Sequence, residues 1–203
     1  EALTTALNEG ADPNRRDEDG YAPLLYAASN GHARCIDVLR RHGADVNAAA
    51  RCGRTPLNTA AAGGHTEAIK ILISAGALVD WRESWNGSSF ATALHWAAAN
   101  GQYSAVKALL DVGATCDKLD TKHHATALVL ACTQGIAYIA KALLDAGADA
   151  DMANREGVTA LMKASEGGFE DCVKLLLERG ALVDVFPDDF VKLSETDELV
   201  GMG

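Results

Sequence analysis

Aromatic residues make up only 5% of this 203-residue chain and proline occurs four times, while apolar residues reach 48% with alanine abundant among them. Sheets draw on aromatic and β-branched side chains and alanine is the best helix former, so this balance excludes a β-rich fold and predicts closely packed helices. No apolar run approaches the roughly 18 residues that cross a bilayer, so no membrane span is expected. Positive charge is also short: 18 Lys and Arg stand against 28 Asp and Glu, a formal net charge of -10. Duplex nucleic acid is bound by neutralising phosphates, so a nucleic-acid partner is excluded and a basic or neutral protein surface fits better. The five cysteines make an odd count with no paired CxxC set and no secretory leader ahead of them, which points to the reducing cytoplasm or nucleus. No Walker loop, no GxGxxG after a strand and no Ser-His-Asp order is present, so neither catalytic residues nor a cofactor are expected.

What the chain has is periodicity. Glycine followed by alanine recurs at Gly10, Gly43, Gly76, Gly113, Gly147 and Gly180, at intervals of 33, 33, 37, 34 and 33 residues. A second series, Gly31, Gly64, Gly101, Gly135 and Gly168, sits 12 residues ahead of the last five of these. Between the two glycines run apolar residues at helical spacing: Ile36 and Leu39; Ile69, Leu72 and Ile73; Val106, Leu109 and Leu110; Leu143 and Leu144; Val173, Leu176 and Leu177. That spacing predicts an amphipathic helix in every unit. Ahead of each inner glycine lie small pairs, Ala27-Ala28, Ala60-Ala61, Ala97-Ala98, Ala131-Cys132 and Ala164-Ser165, on a second, short helix. Its start is marked by Pro23-Leu24, Thr55-Pro56-Leu57, Thr92-Ala93-Leu94, Thr126-Ala127-Leu128 and Thr159-Ala160-Leu161. Thr caps a helix and Pro suits its first turn.

These residues resemble the ankyrin repeat, a β-turn and two antiparallel helices with the pattern TPLHxAaxxGH…LLxxGAdvN, over residues 1 to about 186. The resemblance implies an all-α repeat solenoid, an ankyrin-type stack of antiparallel helix pairs with β-hairpin fingers and a concave face that binds proteins. The expected units are a partial first repeat (1–16), repeats over 17–49 and 50–82, a repeat with an enlarged finger (83–120), repeats over 121–153 and 154–186, and an acidic cap or tail (187–203). Glu1 falls three places past the position of an inner glycine, so the first unit is expected to begin inside its outer helix, with more repeat sequence upstream. Phe186-Pro187 breaks the pattern, and the acidic stretch after it is read as a short cap, with a linker or an acidic tail as the alternatives.

Departures from the repeat carry the functional information. The 37-residue interval holds four extra residues between Ala77 and Thr92, in a finger that carries Trp81, Trp85 and Phe90 around an Asn86-Gly87-Ser88-Ser89 turn. Trp96 takes the inner-helix slot of Tyr26, Thr59, Leu130 and Lys163, so all three tryptophans meet at one repeat junction. Two readings stand: Trp81 and Trp85 fold back over the neighbouring finger, or they form a binding hot spot, since Trp, Tyr and Arg dominate interface energies. By resemblance, the concave face joins the residues before each inner glycine to the finger tips. The expected partner-binding residues are Trp81, Trp85, Phe90, Trp96, Asn100, Tyr26, Asn30, Tyr21, Arg51, Arg54, Gln134, His123, Arg155 and Lys163.

Chemical alternatives fare less well. His32 and His65 fill the Gly-His slot and His95 the TPLH slot, where hydrogen bonds to the turns of adjacent units are the expected role. His123 and His124 replace the usual finger glycine, and a metal site there would need further ligands from Cys116, Asp117 or Asp120, so no metal is expected. Cys35, Cys116, Cys132 and Cys172 read as small core residues, and Cys52 alone falls on a finger tip. Asn47 and Asn14 occupy a slot that asparaginyl hydroxylases modify in the family it resembles, although other repeats carry Asp there. The reading that results is an intracellular protein–protein interaction scaffold that holds a protein or peptide on its concave face, centred on the Trp-rich finger. Its alternatives are a substrate-recruitment region of a larger enzyme such as a ubiquitin ligase, or a self-associating structural element.

Overall fold

The computed structural model describes residues 2–81, 91–120 and 124–183. Among them are eleven helices. An inner row consists of α2 (Pro23–Ser29), α4 (Pro56–Ala62), α6 (Ala93–Ala99), α8 (Ala127–Thr133) and α10 (Ala160–Glu166). An outer row consists of α1 (Ala2–Asn8), α3 (Ala33–Arg41), α5 (Thr66–Ser74), α7 (Tyr103–Leu110), α9 (Ala137–Asp145) and α11 (Glu170–Glu178). From α2 onward, each inner helix packs on the outer helix that follows it and on the inner helices before and after it, and α3 to α11 stack likewise along the outer row. The architecture is an all-α repeat solenoid.

The inner helices are each seven residues long, too short to persist alone in water. Three of the starts are fixed by threonine caps, while α2 starts on Pro23. The hydroxyl oxygens of Thr55, Thr126 and Thr159 accept hydrogen bonds from the N–H groups of Asn58, Val129 and Met162. Their small faces then let neighbours close up: Ala60, Ala61, Ala97, Ala98, Ala131, Cys132 and Ala164 are wholly buried. One core cluster runs from Leu7 to Ala181, and Cys35 and Cys116 pack half-buried against it.

Two devices join each unit to the next. The first is the side chain that closes the outer turn. Asn14 accepts the Asp45 N–H at 2.8 Å and donates to the Gly43 carbonyl at 2.9 Å; Asn47 accepts the Leu78 N–H at 2.9 Å and donates to the Gly76 carbonyl at 3.3 Å. Later units use Asp, which only accepts: Asp80 from Thr115, Asp117 from Asp149 and Asp151 from Leu182. Partial burial pushes the Asp117 carboxyl above its usual range. The second device is a close approach. The residue after each inner glycine lies on the inner glycine of the preceding unit: His65 on Gly31, Gln102 on Gly64, Ile136 on Gly101 and Phe169 on Gly135. At Gly135 the backbone is left-handed, with φ of +70°, and a Cβ would overlap the Phe169 ring.

Fingers form where one inner helix follows the preceding outer turn, and among the described residues they contain no strand. A single backbone rung closes each: Asp17 to Tyr21, Ala50 to Arg54, Asp120 to Ala125 and Asn154 to Val158, at 2.9–3.1 Å. The β-hairpins that the resemblance implies are not shown: among the described residues the fingers carry no ladder. The glycine slot is filled by His124, held at φ of 47°. The first two fingers are tied together by the Arg51 N–H on the Asp19 carbonyl at 3.0 Å and by Arg16 Nη1 on the Ala49 carbonyl at 2.7 Å. Ala22, Leu25 and Ala50 form a small separate core at their root, with Tyr21 packed against it.

Gly147, with φ of +91° and open space around it, gives a control for the close approach. In urea denaturation, Gly147→Ala is expected to lose about 1–2 kcal/mol for its left-handed backbone. Gly135→Ala is expected to lose a further ~1–3 kcal/mol for overpacking against Phe169; equal losses would show that the approach carries no constraint. The joining side chain gives a reciprocal pair. Asn47→Asp removes a donor and is expected to lower stability by about 1 kcal/mol, whereas Asp117→Asn removes a partly buried charge and is expected to raise it by a similar amount. Because the folded Asp117 pKa is raised, the gain is present at neutral pH and fades as pH falls through the carboxylate range, where Asp117 is itself neutral. Chemical denaturation at neutral and acid pH measures both.

Candidate functional site

The finger turns and the exposed positions of the inner helices share one face, and the sequence dictates why. In the inner helices most alanines and leucines turn into the stack, which leaves the slot of Tyr26, Trp96, Leu130 and Lys163 at least partly outside, whereas Thr59 in the same slot of α4 is buried. Tyr26 is 52% exposed and its hydroxyl donates to Asp17 Oδ2 at 2.5 Å. Asp17 Oδ1 accepts the Asp19 and Tyr21 N–H groups at 3.0 and 2.8 Å, which shapes the first finger. The Tyr26 hydroxyl, helped by those amides, holds the Asp17 carboxyl below its usual range, and the same hydrogen bond raises the Tyr26 phenol. Tyr21 lies tilted against Tyr26 with ring centroids 5.6 Å apart. Its hydroxyl is 3.6 Å from Cys52 Sγ on the second finger.

The next finger reaches across to the following inner helix. Arg54, half-buried, sets its guanidinium carbon 4.3 Å from the ring centroid of Trp96. Arg51 is exposed beside it. Beyond Trp96 the helix ends are polar: Asn30 and Asn100 donate to the carbonyls of Tyr26 and Trp96 at 2.9 and 2.8 Å, and Gln134 is exposed at the end of α8. Lys163 is engaged by Glu166 at 2.6 Å, and Arg155 is exposed on its finger. The structure thus brings together Tyr21 with Tyr26 and Arg54 with Trp96. Trp81 lies elsewhere. It is half-buried and lines a cleft of about 520 Å³ with residues of the first two fingers, among them Arg16, Gly20 and Arg51, and with Asn47 and Ala48. Its indole Nε1 is buried with no hydrogen-bond partner among the described residues. Trp85, Phe90 and His123 lie outside the described residues.

Two of the histidines, His65 and His95, serve the stack. His95 is buried, and its Nδ1 accepts the Thr92 N–H at 3.2 Å, which places the proton on Nε2. That proton points at the Lys118 carbonyl of its own unit, at 2.8 Å, and at the Ala125 carbonyl of the next, at 3.1 Å. His65 Nε2 meets the Ser29 carbonyl of the preceding unit at 3.0 Å. Among the described residues no three His, Cys, Asp or Glu side chains gather as a metal-binding group, and no helix is long and apolar enough to cross a membrane. Cys132 and Cys172 are wholly buried, and burial raises both thiols.

Sequence reasoning missed two features. Asp17 is the anchor of Tyr26, and nothing in a finger tip crowded with Asp and Glu marks which carboxylate takes that role. Tyr103 and Tyr138, at the starts of α7 and α9, form an edge-on pair with centroids 5.8 Å apart and stay 44% and 56% exposed. They occupy different slots of their units, so the repeat register conceals the pairing.

No curated protein matches the chain. A family model described as "Ankyrin repeats (3 copies)" matches residues 1–83, 44–120 and 94–186, the span over which helix pairs, outer turns and fingers recur. Ankyrin repeats are generally protein–protein interaction modules without chemistry of their own. By sequence pattern and by architecture alike, the chain belongs to the ankyrin-repeat family.

Proposed function

We propose that this chain is an interaction scaffold that holds a partner protein or peptide along its concave face and fingers, centred on the Trp-rich finger. What supports this reading is preorganisation. Tyr26 is exposed yet fixed by Asp17, Asn30 and Asn100 are fixed by their own helix carbonyls, and Arg54 is laid on Trp96. Side chains already held in one conformation lose less entropy when a partner docks, so more of each contact appears as affinity. The mix of aromatic, amide and charged groups suits a polypeptide better than an apolar ligand.

The test uses 12-residue peptides selected from a random library on the immobilised chain. A variant combining Tyr26→Ala, Asn100→Ala and Gln134→Ala is expected to bind the selected peptides at least about tenfold more weakly, equivalent to roughly 1.4 kcal/mol. Its thermal midpoint is expected to stay within a few degrees of wild type. Unchanged affinity would remove this face from the account.

The anchor of Tyr26 is testable by itself. Tyr26→Phe deletes the donor, so Asp17 is expected to titrate closer to the ordinary carboxylate range in NMR pH titration. A depressed folded pKa contributes order above the unfolded value and loses it as pH falls through the folded value. The exposed first finger is therefore expected to loosen only in strong acid in wild type, and at a higher pH in the variant. An Asp17 titration that does not move would mean the hydroxyl is not its anchor.

A further inference from the structure

We propose that Arg54, stacked on Trp96, is a receptor for one carboxylate, the side chain of an Asp or Glu in the segment that crosses this face. The proposal rests on the protein-binding reading above and names the chemistry that the partner must bring.

Arg54 is half-buried, and Trp96 beside it is half-buried too. Its guanidinium carbon lies 4.3 Å from the Trp96 ring centroid. The π-face of the ring attracts the cation and fixes its plane. It cannot satisfy the N–H groups at the guanidinium edge, which carries five donors and no acceptor. Among the described residues those donors have no protein partner. The ion pairs are made instead by Arg40, Arg41, Lys118, Lys141, Lys163, Lys174 and Arg179. The shaping carboxylate of the first finger is not free to help, because Asp17 already accepts from Tyr26, Tyr21 and Asp19.

A half-buried cation with no counter-anion among the described residues is partly stripped of water, and a carboxylate meeting its edge supplies the missing charge and acceptors. The fork of N–H groups matches the two oxygens of a carboxylate, giving charge-assisted, bidentate hydrogen bonds. The stacking matters because it removes the rotamer freedom that would otherwise be lost on binding. The surroundings choose among anions. Asp17, Glu18 and Asp19 stand on the finger tied directly to that of Arg51 and Arg54. Their charge penalises a dianionic phosphate more than a carboxylate carrying a single charge.

The experiment takes a 12-residue peptide selected on the wild-type chain in two synthetic forms, one with its acidic residue and one with the amide in its place. Selected peptides are expected to share an Asp or Glu at one position. Replacing it with Gln is expected to weaken binding to the unaltered protein by about tenfold or more, which excludes a folding artefact. Arg54→Lys keeps the charge and loses the fork and the stacking. It is expected to bind the acidic peptide no better than wild type binds the amide peptide, with a thermal midpoint near that of wild type. Affinity for the acidic form alone is expected to fall as salt rises from about 0.05 to 0.5 M. Peptides that bind with no acidic position, that tolerate Arg54→Lys, or that require phosphoserine would overturn the proposal. If such peptides still lose affinity on the Tyr26, Asn100 and Gln134 variant, the binding face stands and only the carboxylate receptor falls. If no peptide responds to either variant, both readings fall.

Discussion

A helix of two turns does not hold together in water, and every inner helix of this chain is that short. Each exists because its neighbours bury it. The alanine and leucine faces of α2, α4, α6, α8 and α10 become one continuous core only when stacked, so the unit of stability is the joint between repeats and not the repeat. The Asn and Asp side chains of the outer turns and the buried His95, through the Ala125 carbonyl, reinforce the same joints with hydrogen bonds that run forward along the chain.

The face that carries Tyr26, Arg54 and Trp96 inherits its rigidity from those joints. Arg54 and Trp96 come from different units, as do Tyr21 and Cys52, so the pairs exist only while the stack is in register. A one-dimensional core thereby presents a two-dimensional surface of fixed groups. The buried thiols of Cys132 and Cys172 are spent on packing, and the His95 imidazole on bridging carbonyls.

Most of the architecture was legible in the sequence because it depends on spacing. The glycine intervals placed both helices of every unit, Thr55, Thr126 and Thr159 marked helix starts, and the His65 and His95 slots foretold bonds to adjacent turns. The finger tips were less legible. Whether a short turn extends into a ladder depends on backbone pairing between units, and among the described residues four fingers show a single rung each. Contacts between residues of different units were least legible. Arg54 and Trp96 were both marked as binding residues, yet their stacking is set by how far one finger leans over the next helix, which no local pattern encodes. For Trp81 the sequence left two readings open, cover for the neighbouring finger or a binding residue; it lines a cleft with residues of the first two fingers, a placement set by contacts between units.

The close approach at the inner glycines has an evolutionary consequence. The group seated there changes from joint to joint, an imidazole, an amide, an aliphatic chain and a phenyl ring, while the seat is always a bare backbone. A socket without a side chain fits any plug. Units can therefore be duplicated, deleted or exchanged without retuning the neighbour, and a lineage is free to lengthen or shorten the array while its recognition surface diverges.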